Sequence, residues 1–190
     1  LHHAGHIAGA VSIEVRYEKK AVFFTGDLLF NHQRTLDGAE IPLNPVDVLV
    51  TETTRGGNAR DPGRQRESEI VSLLEETSQS LARGGSVLIP VFALGRMQEM
   101  LVVLDEAFKR KALPKVPVYC SGLGMDLVNH FHEISKNTTR IRFSRKVLRS
   151  LGARPLPRKI EPGQAPPMKG IFLVSSCLLY TSPSPRDLST

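Results

Sequence analysis

Apolar residues alternate with polar ones at every second position in the first part of the chain, which is typical of β-strands with one buried face. Val11–Tyr17 (VSIEVRY) shows this pattern, and residues 21–25 (AVFFT) follow after a Glu-Lys-Lys turn, so the two stretches predict a hairpin. Residues 46–52 (VDVLVTE) are more uniformly apolar and predict a third, more deeply buried strand. The polar stretch between the second and third strands is expected to be a connection.

After about residue 57 the pattern changes to apolar positions at helical spacing, interrupted by short apolar runs. Glycines end the first predicted helix, and the last helix is expected to turn Ile134 inward. Alternating strands and helices predict a parallel sheet with helices packed on it. The elements predicted here are helix 67–85, strand 86–92, helix 95–113, strand 115–120, helix 124–135 and strand 170–176.

Charge adds one feature to an otherwise ordinary globular composition. The chain of 190 residues has a formal net charge of +6, and residues 140–159 contain eight Lys or Arg and no Asp or Glu. This stretch fits a solvated surface and a phosphate-binding patch equally well. In the second interpretation, RNA contacts would come from Arg140, Arg142, Arg145 and Lys146.

Two features bear on the compartment and on the chain ends. No apolar run is long enough for a membrane span, and two cysteines are too few for a disulfide framework, so we expect a cytoplasmic protein with no membrane partner. Residues 177–190 (CLLYTSPSPRDLST) match the translation of an adapter used in sequencing libraries and are interpreted as an artefact. Since Leu1 is not an initiator methionine, the N-terminus is expected to be missing.

Three ionisable residues stand next to predicted strands, where functional sites often form. His6 precedes the first strand in AGHIAGA, Asp27 follows the second in TGD, and Glu52 ends the third in TET. An imidazole and a carboxylate suit a divalent cation such as zinc, and the glutamate could orient a ligand or transfer a proton. Each residue also fits a simpler interpretation: a packed histidine, a common Gly-Asp turn and a turn-capping glutamate.

The motifs AGHIAGA, TGD, VTETTRG and LIPVFALGRMQEML, in this order and spacing, resemble those of metallo-β-lactamase-fold nucleases with a β-CASP insertion, and most closely the RNA-processing branch. The resemblance implies an α/β fold. Residues 1–56 would be the C-terminal part of the first metallo-β-lactamase segment, within an αββα sandwich. Residues 57–176 would be an incomplete β-CASP domain, a parallel sheet flanked by helices.

The resemblance also implies roles for individual residues. His6 would bind one zinc ion, Asp27 would bridge two, and Glu52 would pair with a histidine that lies further along in the family. The implied activity is hydrolysis of single-stranded RNA by a metal-activated water. The HxHxDH motif of the family and its later histidines fall outside this sequence, so the chain alone is expected to be inactive.

Several alternatives stay open. The protein could be a non-catalytic relative that binds RNA as a subunit. Such a relative would be expected to lose metal ligands, so the presence of His6, Asp27 and Glu52 argues against this alternative. A DNA-directed nuclease of the same fold would be expected to carry Asp where this chain has Glu. Arg96 fits either a phosphate contact at a helix start or a surface arginine. Oligomeric state is left open.

One glycine-rich stretch predicts packing rather than chemistry. Residues 121–126 (SGLGMD) lie between a predicted strand and a helix but lack the Lys-Ser/Thr of a phosphate-binding loop, so their glycines are expected to serve tight packing. The preceding Cys120 ends an apolar strand and is expected to be a small core residue.

Overall fold

The chain forms a mixed α/β structure with two four-stranded sheets. The structure, a computed structural model, describes residues 1–54, 56–58, 61, 65–156 and 168–175, and the adapter-like residues 177–190 lie outside this range. Its elements are β1 His2–His3, β2 Val11–Tyr17, β3 Lys20–Phe24, β4 Val48–Val50, α1 Arg66–Ala82, β5 Val87–Val91, α2 Arg96–Lys109, β6 Val118–Cys120, α3 Gly122–Lys136, α4 Lys146–Leu151, β7 Arg154–Pro155 and β8 Ile171–Ser175.

The first sheet has the strand order β1-β2-β3-β4. The predicted hairpin is confirmed, because β2 and β3 pair antiparallel, and β4 then adds in parallel to β3. Asp47 fixes the approach of β4: its carboxylate accepts hydrogen bonds from the backbone N–H of Ala21 at 2.8 Å and from Lys20 Nζ at 2.9 Å. The start of β3 is thereby tied to the residue just before β4.

The expectation that the third strand is deeply buried is wrong for the described chain. Val48, Leu49 and Val50 of β4 are 49%, 58% and 47% exposed. A uniformly apolar run predicts cover on both faces, but β4 is an edge strand with only β3 beside it. No second sheet or helical layer covers the apolar face of this sheet within the described residues, so the layers of the predicted sandwich are not seen there.

The second sheet has the order β5-β8-β6-β7, and all its strand pairs are parallel, as predicted. β8 comes last in the chain but lies between β5 and β6, and each of its residues is buried. The strand predicted at residues 170–176 is therefore observed over Ile171–Ser175, and like β6 it is buried along its whole length.

The main core lies on one face of the second sheet, and all four helices contribute to it. The opposite face carries a smaller aromatic cluster, in which Tyr119 stacks on Phe172 with ring centroids 5.1 Å apart. Helices thus cover one face in the described chain, whereas flanking helices were predicted. The buried core includes Met97, Leu101 and Leu104 of α2, Val128 and Phe131 of α3, Val147 and Leu151 of α4, and Ile89, Val118, Cys120, Ile171 and Leu173 of the strands, and the partly buried Leu74 and Leu81 of α1 pack against it.

Two details of this core bear on the predictions. Cys120 is fully buried as expected, and burial raises the pKa of its thiol to about 12. Ile134, expected to face inward, is 45% exposed. The inward stripe of α3 continues instead through Ser135, whose hydroxyl donates to the carbonyl of Phe143 at 2.8 Å.

None of the described helices combines the length and apolar character that a membrane crossing requires.

The connection between β3 and β4 contacts the second part of the chain, where the first part means residues 1–56 and the second part the described residues from 57 onward. Leu36 is 2% exposed and belongs to the main core, and it forms an isolated antiparallel bridge with Ile141. Beside it, Asp37 N–H donates to Arg140 O at 3.0 Å and Arg142 N–H donates to Thr35 O at 2.9 Å. The stretch predicted as a polar connection thus pairs, through backbone hydrogen bonds, with the segment around Ile141.

Packing at Gly124 gives a stability test. A Cβ there would lie 1.9 Å from Met97 Sδ, and Met97 is fully buried, so Gly124→Ala is expected to destabilise the protein by about 1–3 kcal/mol through overpacking. Gly122 begins the same helix with nothing within 4 Å of its would-be Cβ, so Gly122→Ala is the control and should be neutral or slightly stabilising. Urea unfolding compares them; equal stabilities would contradict the packing argument.

Candidate metal-binding site

His6 and Asp27 lie side by side at one end of the first sheet. His6 is in the loop between β1 and β2, and Asp27 follows the end of β3. Gly5 forms an isolated antiparallel bridge with Leu28, and His6 and Asp27 are each the residue next to this bridge in the chain. The structure therefore brings together the two residues that the sequence proposed as metal ligands.

Gly5, the glycine of the AGH motif, permits this approach. Its φ of +71° lies in the left-handed region, and a Cβ would stand 2.2 Å from Leu29 O and 2.4 Å from Ala39 N. The same backbone segments are hydrogen-bonded: Leu29 N–H donates to Ala4 O at 3.0 Å, and Ala39 N–H donates to Leu29 O at 2.8 Å. A side chain at position 5 would push the His6 loop away from the end of β3.

The side chains of His6 and Asp27 fit a metal site in part. Within the described residues neither side chain has a hydrogen-bond or ion-pair partner, and Asp27 is exposed while His6 is half-buried. An imidazole nitrogen and a carboxylate oxygen are donors that zinc accepts. The described residues hold no group of three or more His, Cys, Asp or Glu that could bind an ion by itself. The chain thus offers two donors rather than a complete ligand set.

Glu52 lies beside this pair. Its carboxylate accepts hydrogen bonds from Thr54 N–H at 2.9 Å and Leu28 N–H at 3.4 Å. Hydrogen bonding from Thr54 is the main cause that holds the pKa of Glu52 below its usual value, and the nearby His6 contributes a smaller effect in the same direction. The turn-capping interpretation is therefore confirmed, and the same bonds fix an ionised carboxylate close to His6.

Arg96 is the first residue of α2 and is half-buried. Its Nη1 donates to the side-chain oxygen of Gln33 at 3.0 Å. Burial lowers the pKa of Arg96, and the neighbouring Arg66 lowers it further. Arg96 thus has a protein partner in the first part of the chain, and a phosphate contact remains a prediction.

Sequence reasoning missed Glu99, which is 4% exposed and connects three segments. One carboxylate oxygen accepts from Arg34 N–H at 2.9 Å and Arg66 Nη2 at 2.6 Å. The other accepts from the backbone N–H and hydroxyl of Thr35 at 2.9 and 2.8 Å. Burial acts to raise the pKa of Glu99, but these hydrogen bonds outweigh it and the pKa is lowered.

The basic stretch divides into two pairs. Arg140 forms an ion pair with Glu40, and Arg142 forms one with Asp37 at 2.6 Å, so both contribute to the contact between the two parts of the chain. Arg145 and Lys146 at the start of α4 are exposed. The surface interpretation therefore holds for the second pair, and RNA contacts at any of these four positions stay a prediction.

A cavity of about 1260 Å³ lies between the first part of the chain and helices α1 and α2. Its wall combines uncharged groups of the first part with an exposed aromatic ring, Phe92, and with charged residues of both signs: Arg66, Arg96, Asp61, Glu69 and Glu99. The charges of the wall therefore do not by themselves favour a polyanion, and the exposed ring of Phe92 is the feature on which a base could stack. Lining residues from the first part include Leu29, Asn31 and Thr54.

Comparison with known proteins supports the class indicated by these features. The chain is homologous, over about two thirds of its length, to metallo-β-lactamase/β-CASP nucleases of RNA processing. It is 37% identical over 135 residues to Endoribonuclease YSH1 of Eremothecium gossypii, a match that covers 68% of this chain and 17% of that protein. No protein-family model matches the chain.

Two further relatives come from an animal and an archaeon. Integrator complex subunit 11 of Danio rerio is 36% identical over 133 residues, covering 70% of this chain and 22% of that protein. The RNase J-like protein of Methanocaldococcus jannaschii is 37% identical over 122 residues, covering 64% of this chain and 29% of that protein. The match therefore spans less than a third of the length of each of these three relatives.

Proposed function

We propose that the protein containing this chain is a zinc-dependent ribonuclease that hydrolyses phosphodiester bonds of single-stranded RNA. The observation that carries the proposal is that His6 and Asp27 flank the Gly5–Leu28 bridge, with no hydrogen bond or ion pair to either side chain within the described residues, in a chain homologous to RNA-processing nucleases. Further ligands would have to complete the site, so residues 1–190 alone are expected to be inactive.

The residues of this chain would have distinct parts in the reaction. When bound, zinc would supply Lewis acidity at the phosphodiester. Asp27 would offer a carboxylate that can bridge two ions, and His6 would complete the ligand set of one of them. Glu52, held by the N–H groups of Leu28 and Thr54, would keep a fixed negative charge beside the site that can orient a histidine.

RNA is proposed as the substrate because the relatives named above include an endoribonuclease and an RNase J-like protein. The cavity between the two parts of the chain would take the strand, with Phe92 available for base stacking. A cytoplasmic location is part of this proposal. The other two functions, a non-catalytic RNA-binding subunit and a DNA-directed nuclease, make different predictions in the same experiment.

The experiment incubates the complete gene product with single-stranded RNA and DNA of the same sequence, with and without a zinc chelator. The proposal expects cleavage of RNA, loss of cleavage with the chelator, and recovery on adding zinc. Faster cleavage of DNA would favour the DNA-directed nuclease. Binding of RNA without cleavage, at any zinc concentration, would favour the non-catalytic subunit.

A further inference from the structure

Gln33, a buried residue in the predicted polar connection, links the backbone at His6 to helix α2. Its side chain is enclosed, with the residue 5% exposed. Nε2 donates to the carbonyls of Gly5 at 3.0 Å and His6 at 3.2 Å. On the other side, Oε1 accepts from Arg96 Nη1 at 3.0 Å. Both ends of the carboxamide are therefore used, and its orientation is fixed.

A second contact holds the residue on the other side of His6. Ile7 packs against Gly95, which precedes α2, closely enough that a Cβ on Gly95 would stand 3.0 Å from Ile7 Cγ2. Gly95 has a φ of +81°, so both its conformation and its lack of a side chain favour this contact. The peptide units before and after His6 are thus both held through Gln33, and the Ile7 side chain adds a direct contact with the start of α2.

We propose that Gln33 and Arg96 are positioning residues for His6, through which the placement of α2 is coupled to metal binding. This inference rests on the proposed function, because it requires His6 to be a metal ligand. Gln33 does not hydrogen-bond the imidazole. It holds the backbone carbonyls of Gly5 and His6, and these set the position of the His6 Cα that carries the imidazole. Groups that orient a metal ligand in this way typically change metal affinity about 10–100-fold when they are replaced.

The sharpest variant is Gln33→Glu, which preserves shape and can still accept from Arg96. It replaces the amide donor with a carboxylate oxygen that faces two carbonyl oxygens, so the His6 loop should move. The complete gene product is expected to bind zinc about 10-fold more weakly, measured by competition with a chromophoric zinc chelator. The absorption spectrum of the cobalt-substituted protein should change as well, because it reports ligand geometry.

A second variant separates positioning from RNA contact. Arg96→Gln removes the donor to Gln33, and positioning predicts a several-fold loss of zinc affinity in the absence of RNA. A role in phosphate binding alone would raise KM and leave zinc affinity unchanged. Because Arg96 is only half-buried and its side chain makes one hydrogen bond among the described residues, this variant should fold even if Gln33→Glu does not. Arg83→Gln, at the exposed end of α1, is the matched control.

Each outcome decides the matter. Weaker zinc binding in the two variants, with wild-type affinity in Arg83→Gln, supports the inference. Unchanged zinc affinity overturns it, even if the thermal midpoint of the metal-free protein falls, because that combination describes a purely structural role. A wild-type protein that binds no zinc would overturn the proposed function and this inference together.

Discussion

Replacing Asp27 with asparagine is expected to reduce RNA cleavage by the complete gene product by roughly a thousand-fold in kcat. The substitution keeps the size of the side chain but removes the negative charge that would hold metal. Losing the metal forfeits several kcal/mol of transition-state stabilisation, and each 1.4 kcal/mol or so is about tenfold in rate. Since Asp27 is exposed and has no protein partner in the described chain, its replacement should leave stability nearly unchanged.

Asp47 provides the control for this result. It lies near the other end of β3 and its carboxylate holds Ala21 N–H and Lys20 Nζ, which is a structural use of the same side chain. Asp47→Asn should lower the free energy of unfolding modestly and retain kcat. The account of the site would be contradicted by Asp27→Asn that cleaves RNA at the wild-type rate, or by equal losses of kcat in both variants.

Glu99→Gln is expected to have the largest effect on stability, a loss of roughly 2–4 kcal/mol. The amide is the same size but cannot accept charge-assisted bonds as a carboxylate does, and its NH₂ group would face the donors of Arg34 and Arg66, or of Thr35. The expected loss stays below that of a fully buried ion pair because the Arg66 side chain is 27% exposed. Urea unfolding of the complete gene product measures it.

Glu106 is the matched control on the same helix. It forms an ion pair with the side chain of Arg34, through Nε at 3.1 Å, but its own side chain is 35% exposed. Glu106→Gln should therefore cost at most about 1 kcal/mol, as is usual for solvent-accessible ion pairs. If the two variants were equally stable, the buried carboxylate would not be what joins α2 to the segment around Thr35.

The same carboxylate predicts a dependence of stability on pH. The pKa of Glu99 is lowered from the ordinary value of 4.5, so the native state favours its ionised form. The stabilisation is then fully present above that ordinary value and is lost as the pH falls through the lower native pKa. The difference in unfolding free energy between wild type and Glu99→Gln should therefore shrink at acid pH. A difference that stays constant would contradict the ionised state of Glu99.

The sequence predicted the local elements and one close backbone approach. Alternation identified β2 and β3, and helical spacing identified α2 with its buried Met97 and Leu101. The glycine of AGH pointed to close backbone approach, which Gly5 shows. These predictions succeeded because they depend on contacts between residues that are close in sequence, or on a conformation that glycine favours.

Features that depend on distant partners were not predicted. Gln33 looked like an ordinary residue of a polar connection because its partner Arg96 is 63 residues away. Glu99 lies next to the apolar stripe of α2, where spacing alone cannot show that a carboxylate is buried among donors. The exposure of β4 depends equally on what packs against it, which its apolar pattern does not contain. The distinctive GRMQE motif was the available signal for both Arg96 and Glu99.

Metal content of the purified gene product tests the central claim most directly. Wild-type protein, His6→Ala and Asp27→Asn would be dialysed against the same low concentration of zinc and analysed by mass spectrometry. The account predicts two bound zinc ions in the wild type and a clear loss of zinc in each variant. Wild-type zinc content in both variants would contradict the assignment of His6 and Asp27 as metal ligands.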